Sequence, residues 1–179
     1  MDLRETVEAA LGGLEGLIKK VPGYKGYKEK ELRREADKLL RMEVAGKLDD
    51  QRKRLSDLQV QLVSQAQIEF VDDMERAVMK LQLLIDRIKT ASYGYAGLFD
   101  AVKIKEDQLD VLYEFDNKML DFVDEIASGI DQITSAITAK EGRGVAIAEL
   151  VVTLEQANQT FGHRHEAVLQ AGTLEGFSD

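Results

Sequence analysis

LSDLQVQLVSQAQIEFVDDMERAVMKLQLLIDRI, residues 55–88, decides the fold. Leu55, Ala66, Ala77 and Ile88 recur at eleven-residue steps, and Val63, Met74 and Ile85 form a second row. Eleven residues over three turns lies close to the natural pitch of an α-helix. The stretch therefore reads as a nearly straight helix with one apolar face. Upstream, Leu32, Ala36, Leu39 and Leu48 begin the same stripe. Between 28 and 89 there is no proline, and the only glycine is Gly46. The expectation is one long helix over about 28–89, about 95 Å if unbroken at 1.5 Å per residue. Gly46, followed by Asp49 and Asp50, is its one candidate hinge.

A second long helix is expected over about 98–140, with a seven-residue repeat. Leu98, Leu112, Met119, Ile126 and Ile133 make one row, and Val102, Leu109, Val123, Ile130 and Ile137 the other. Phe115, Leu120 and Phe122 widen this stripe beyond a two-stranded seam, so the helix must meet more than one neighbour. SYGYAG, residues 92–97, joins the two long helices and predicts that they pair. A shorter N-terminal helix carries Leu3, Val7, Leu11, Leu14 and Ile18, and VPGYKGYK, residues 21–28, ends it. EGRG, residues 141–144, stops the second long helix with a glycine in the left-handed region. A last helix over 145–169 then folds back along it. The fold class is all-α, an elongated antiparallel helical bundle. Its expected organisation is a basic helical hairpin arm over 1–46, an acidic bundle over 47–172 and a frayed tail over 173–179.

Composition narrows the chemistry. The 179 residues include one proline, no cysteine and no tryptophan, with 44% hydrophobic and 32% charged residues. Disulfide scaffolds, thiol nucleophiles, cysteine zinc sites and iron–sulfur clusters are excluded. MDLRETVEAALGG reads as neither a secretory signal nor a transit peptide. No window approaches the roughly 20 apolar residues of a membrane span. The cytoplasm is the default expectation. The net charge of −9 is uneven: residues 1–57 hold 14 Lys+Arg against 12 Asp+Glu, and residues 58–179 hold 10 against 21. A basic pole at 19–34 thus precedes an acidic body, an arrangement that suits head-to-tail association or contact with phosphates.

Three sets of residues are candidates for function. The apolar faces carrying Leu3, Val7, Leu11, Leu32 and Leu39 have no partner in a bare hairpin; either Gly46 bends and folds the hairpin onto the body, or another chain covers it, and the second, preferred reading makes them an interaction surface. Lys19, Lys20, Tyr24, Lys25, Tyr27 and Lys28 combine charge with aromatic rings, which suits nucleic acid or anionic lipid. They lack the Gly-Lys-Ser/Thr ending of a nucleotide loop. The third set is Asp116 and His165 with Asp72 and Asp73, which helix counting places together as a low-ranking divalent-metal cluster. Against it, the chain has no Glu-x-x-His pair. His163 and His165, two apart on a helix, point in different directions. The reading preferred over a metal site is that Asp116, Asn158 and His165 form a buried polar layer that sets helix register, or simply an edge of the bundle. There is no nucleophile elbow and no other catalytic signature.

The functional expectation is a non-enzymatic helical scaffold or adaptor without cofactor. Its partner would be a second copy or another helical protein. Nucleic-acid or anionic-membrane binding through 19–34 ranks second, and a metal-binding bundle third.

Overall fold

The computed structural model describes residues 25–91 and 106–173, with side chains over 40–91 and 118–163. Every element among them is helical: α1 (Lys25–Ser64), a 3-10 turn (Ile68–Phe70), α2 (Val71–Thr90), α3 (Glu106–Ala139) and α4 (Arg143–Thr173). The N-terminal helix, the SYGYAG connection, residues 98–105 of the second long helix and the tail from 174 onward lie outside the described residues. Among the described residues, no helix is long and apolar enough to cross a membrane. The chain divides into two compact units, Met1–Arg41 and Met42–Asp179. The packing set out below belongs to the second.

The long helix expected over 28–89 is two helices. It runs without a break through Gly46 and stops instead at Ser64. Ala66 sits in the left-handed region at φ 56°. Its N–H donates to the carbonyl of Val63 at 3.0 Å, and the N–H of Gln67 donates to that of Leu62 at 3.0 Å. This pair of bonds caps the last carbonyls of α1 and turns the chain back. Such a stop normally uses glycine, because Cβ crowds the left-handed conformation. Alanine is the reason that the pattern of the sequence runs on past the turn.

The second long helix ends in the same way. Lys140 is left-handed at φ 59°, and Gly142 follows at φ 69°. The Lys140 N–H bonds to Ile137 O at 3.3 Å, and the Glu141 N–H to Ala136 O at 3.1 Å. Here the expectation of a left-handed glycine in EGRG holds at Gly142, two residues after the left-handed Lys140.

The apolar rows form the core. Leu55, Ala77 and Ile88 of one row, and Met74 and Ile85 of the other, are buried. So are Met119, Ile126 and Ile133 with Val123, Ile130 and Ile137 on α3, and Ile147, Leu150, Leu154 and Ala157 on α4. Truncating one such large side chain to alanine is worth about 2–5 kcal/mol. Helix α3 packs closely on α4 at Gly129, where an added Cβ would lie 3.0 Å from Leu150 Cδ1.

Helix α4 also packs along α2, and the two run parallel. Phe70 lies against Gly144, Lys80 against Glu155, and Arg87 against Phe161. The described part of the second long helix thus returns along α4, as expected, whereas the close partner of α2 is α4. Small residues on α4 make room for this contact. A Cβ at Gly144 would touch the Phe70 ring at 3.5 Å, and one at Gly162 would meet the Arg87 guanidinium at 3.1 Å. Helix α1 is tied to α3 by the Arg54–Asp131 ion pair. Its Leu48, Leu55 and Leu62 are fully buried.

Candidate interaction surface

Helix α4 divides its residues among three directions. Ile147, Leu150, Leu154 and Ala157 face the core. Gly144, Glu155 and Asn158 face α2. The third direction holds Val145, Ala148 and Val152, at the three- and four-residue spacing that puts them on one side of a helix. Val145 is 64% exposed and Val152 51% exposed. With Gly144, Glu149 and Thr153 they line a shallow, open, mainly apolar depression. A single exposed valine is ordinary on a protein surface, whereas an aligned apolar patch on a charged one marks a contact. Met79 and Leu83 repeat the pattern on α2, four residues apart and both more than half exposed. Val60, Val63 and Ile68 are exposed around the turn between α1 and α2.

The backbone under this face is held by polar contacts between α2 and α4. Asn158 Nδ2 donates to the carbonyl of Lys80 at 3.1 Å and to that of Leu154 at 3.0 Å. Arg87 donates to the Asn158 carbonyl at 2.7 Å and to its side-chain oxygen at 3.2 Å. The Arg87 guanidinium lies 5.7 Å from the centre of the Phe161 ring. Lys80 pairs with Glu155 at 2.7 Å. At the far end Arg143 sits 5.2 Å from the centre of the Phe70 ring, joining the two chain turns. These contacts fix the register of α4, and so the line of Val145, Ala148 and Val152. Asn158, read from sequence as part of a register-setting polar layer with Asp116 and His165, is half-buried and bonds across to the α2 backbone, and the side chains of the other two lie outside the described residues.

The described groups with shifted pKa lie together on α1. Asp49 has its carboxyl held below the usual carboxylate range, first by a hydrogen bond from Arg52 and then by one from Lys53. Lys53 is correspondingly raised by Asp50 and Asp49. These are neighbours along one exposed helix face and form no cleft.

The residues singled out from sequence fall as follows. Leu3, Val7, Leu11, Lys19, Lys20 and Tyr24 lie outside the described residues. Lys25, Tyr27 and Lys28 belong to α1, which begins at Lys25, so the last residues of VPGYKGYK are helical where a connection was expected. Leu32 and Leu39 are also on α1. The side chains of these five lie outside the described residues.

Asp72 and Asp73 open α2, beside the 140–142 turn, and Asp73 pairs with Arg76 at 3.4 Å. Asp116 and His165 lie far along α3 and α4 from that turn, roughly 35 Å away at 1.5 Å per residue. The α3–α4 hairpin is antiparallel, as expected, with Gly129 beside Leu150. The two aspartates of α2 are at the opposite end, because α2 is registered on α4 with Phe70 beside Gly144 and Arg87 beside Phe161. The side chains of Asp116 and His165 lie outside the described residues. Among the described residues, no group of three or more His, Asp or Glu side chains is placed to hold a metal ion.

Sequence reasoning missed the outer face of α4. Its signal was present in Val145, Ala148 and Val152, which do not fall on the row of Ile147 and Leu154. The chain matches no protein-family model, no characterised protein and no solved structure.

Proposed function

We propose that the protein is a non-enzymatic, all-helical interaction protein of the cytoplasm that acts by self-association or by binding another helical protein. The observation that supports this reading is the aligned apolar row Val145, Ala148 and Val152 on the solvent side of α4. Magnitudes set its character. Burying what remains exposed of two valines is worth about 1 kcal/mol each. Association costs about 4–15 kcal/mol in lost freedom. The α4 face alone therefore makes a weak contact, and a stable assembly recruits further apolar surface. The rows of Leu3, Val7, Leu11, Leu32 and Leu39 are the proposed reserve.

The double variant Val145→Asp/Val152→Asp tests the reading by sedimentation equilibrium. Both side chains are exposed, so the helical circular-dichroism signal should be kept while the average mass falls towards 20.0 kDa. An unchanged association constant with helicity intact would remove this face from the account.

A further inference from the structure

The turn between α1 and α2 is built from residues that would also make a good helix. Residues 47–93 contain neither glycine nor proline. The eleven-residue rows pass straight across the break, with Ala66 between Leu55 and Ala77, and Val63 before Met74. In the folded hairpin those two positions leave the core: Ala66 is exposed and Val63 is 55% exposed. The turn also carries local penalties. Ala66 is held left-handed. The Gln67 side-chain oxygen is buried without a hydrogen-bond partner. Ile68 is 71% exposed. A hinge that is strained when closed and regular when open favours exchange of the element it carries.

Helix α1 is the element placed to move. It is the segment on the N-terminal side of the turn, and the Arg54–Asp131 ion pair joins it to α3. Yet Leu48, Leu55 and Leu62 are fully buried, so once released α1 must be replaced in kind. Only a second copy of the same chain presents the same leucines at the same spacing.

We infer that two copies exchange α1. Residues 65–70 straighten into helix, α1 and α2 become continuous, and each chain's Met42–Ser64 segment takes the place of its partner's. Val63 and Ala66 rejoin their rows, the left-handed alanine is relieved, and the core contacts are kept. This inference rests on the self-association reading and specifies its geometry.

The Arg54–Asp131 pair reports the exchange, since it lies within one chain in the closed form and between chains in the exchanged form. Both side chains reach solvent, and the chain has no native cysteine. Arg54→Cys/Asp131→Cys protein is equilibrated at high concentration, its mass measured, and the thiols joined by a short bismaleimide before denaturing electrophoresis. Exchange gives a covalent product of twice 20.0 kDa. A dimer by mass whose cross-link stays within one chain overturns the exchange and leaves self-association standing. A monomer by mass at every concentration overturns both.

Ala66→Gly gives a second, independent readout. Glycine relieves the left-handed position by about fivefold and disfavours the straightened helix by about fivefold. Two effects at two hinges lower the dimerisation constant by roughly a thousandfold while the closed form stays folded. An unchanged constant would overturn the inference.

Discussion

Two glycine-to-alanine substitutions should shift stability in opposite directions, and the structure supplies both signs. Gly46 lies in mid-helix with nothing within 4 Å of an added Cβ. Alanine there gains helix propensity worth about 1 kcal/mol at no steric cost. In a chain of this length that raises the thermal midpoint by about 2–4 °C. Gly129 is also in mid-helix, so the propensity gain is the same. Its added Cβ, however, would stand 3.0 Å from Leu150 Cδ1, 3.7 Å from its Cβ and 3.9 Å from its Cγ. Leu150 is 1% exposed and has little room to withdraw. Overpacking of this kind costs about 1–3 kcal/mol. The difference between the two variants cancels propensity and isolates the contact, so Gly129→Ala should lie about 1–3 kcal/mol below Gly46→Ala. Urea titration followed by circular dichroism measures both midpoints. A Gly46→Ala protein less stable than the parent would mean that the helix bends there. Equal increases in both variants would mean that α3 and α4 are not packed at Gly129.

The remaining predictions concern the polar contacts. Asn158→Ala removes the bonds to the Lys80 and Leu154 carbonyls and one acceptor of Arg87. It should cost about 1–2 kcal/mol in the same urea titration, and a loss below measurement would show that the side chain does not set the α2–α4 register. Arg52→Gln removes the leading cause of the lowered Asp49 pKa. Carboxylate NMR should then show Asp49 titrating at a higher pH than in the parent. The sign follows from charge: a depressed carboxylate favours the fold above its unfolded pKa, and that contribution fades as pH falls through the folded value. No change in the Asp49 titration would contradict the Arg52 contact.

The helices were legible because burial is periodic. Met74, Ile85 and Ile88 on α2 and Ile126, Ile130 and Ile133 on α3 are buried where their spacing placed them. The break at 65–67 was not legible, because its determinant is a backbone conformation rather than a residue type. Glycine at position 66 would have announced a stop, whereas alanine continues both the helix propensity and the eleven-residue row. Gly46 carries the opposite lesson, since an exposed glycine is tolerated inside a helix that tertiary packing holds on either side.

The candidate site divides along the same line. Counting from EGRG gave the antiparallel pairing of α3 and α4, because a short turn makes consecutive helices neighbours. Carrying the count across SYGYAG to Asp72 and Asp73 fails, because α2 is registered with Phe70 beside Gly144, which puts both aspartates at the 140–142 end. The cross-helix bond from Asn158 to the Lys80 carbonyl was visible in sequence only as a polar residue in an apolar row. Its partner is a backbone atom that no side-chain pattern marks.

The reversal of the chain at Ala66 supports everything built on this structure, and one distance tests it. Nitroxides at Lys47→Cys and Lys89→Cys, both exposed positions, can be measured by double electron–electron resonance in the monomer fraction. With α1 folded back beside the rest of the bundle, the two labels should lie within about 35 Å, from helix diameters and spacings of 8–12 Å plus the label arms. A distance of about 63 Å, the length of 42 residues of unbroken helix, would contradict the account.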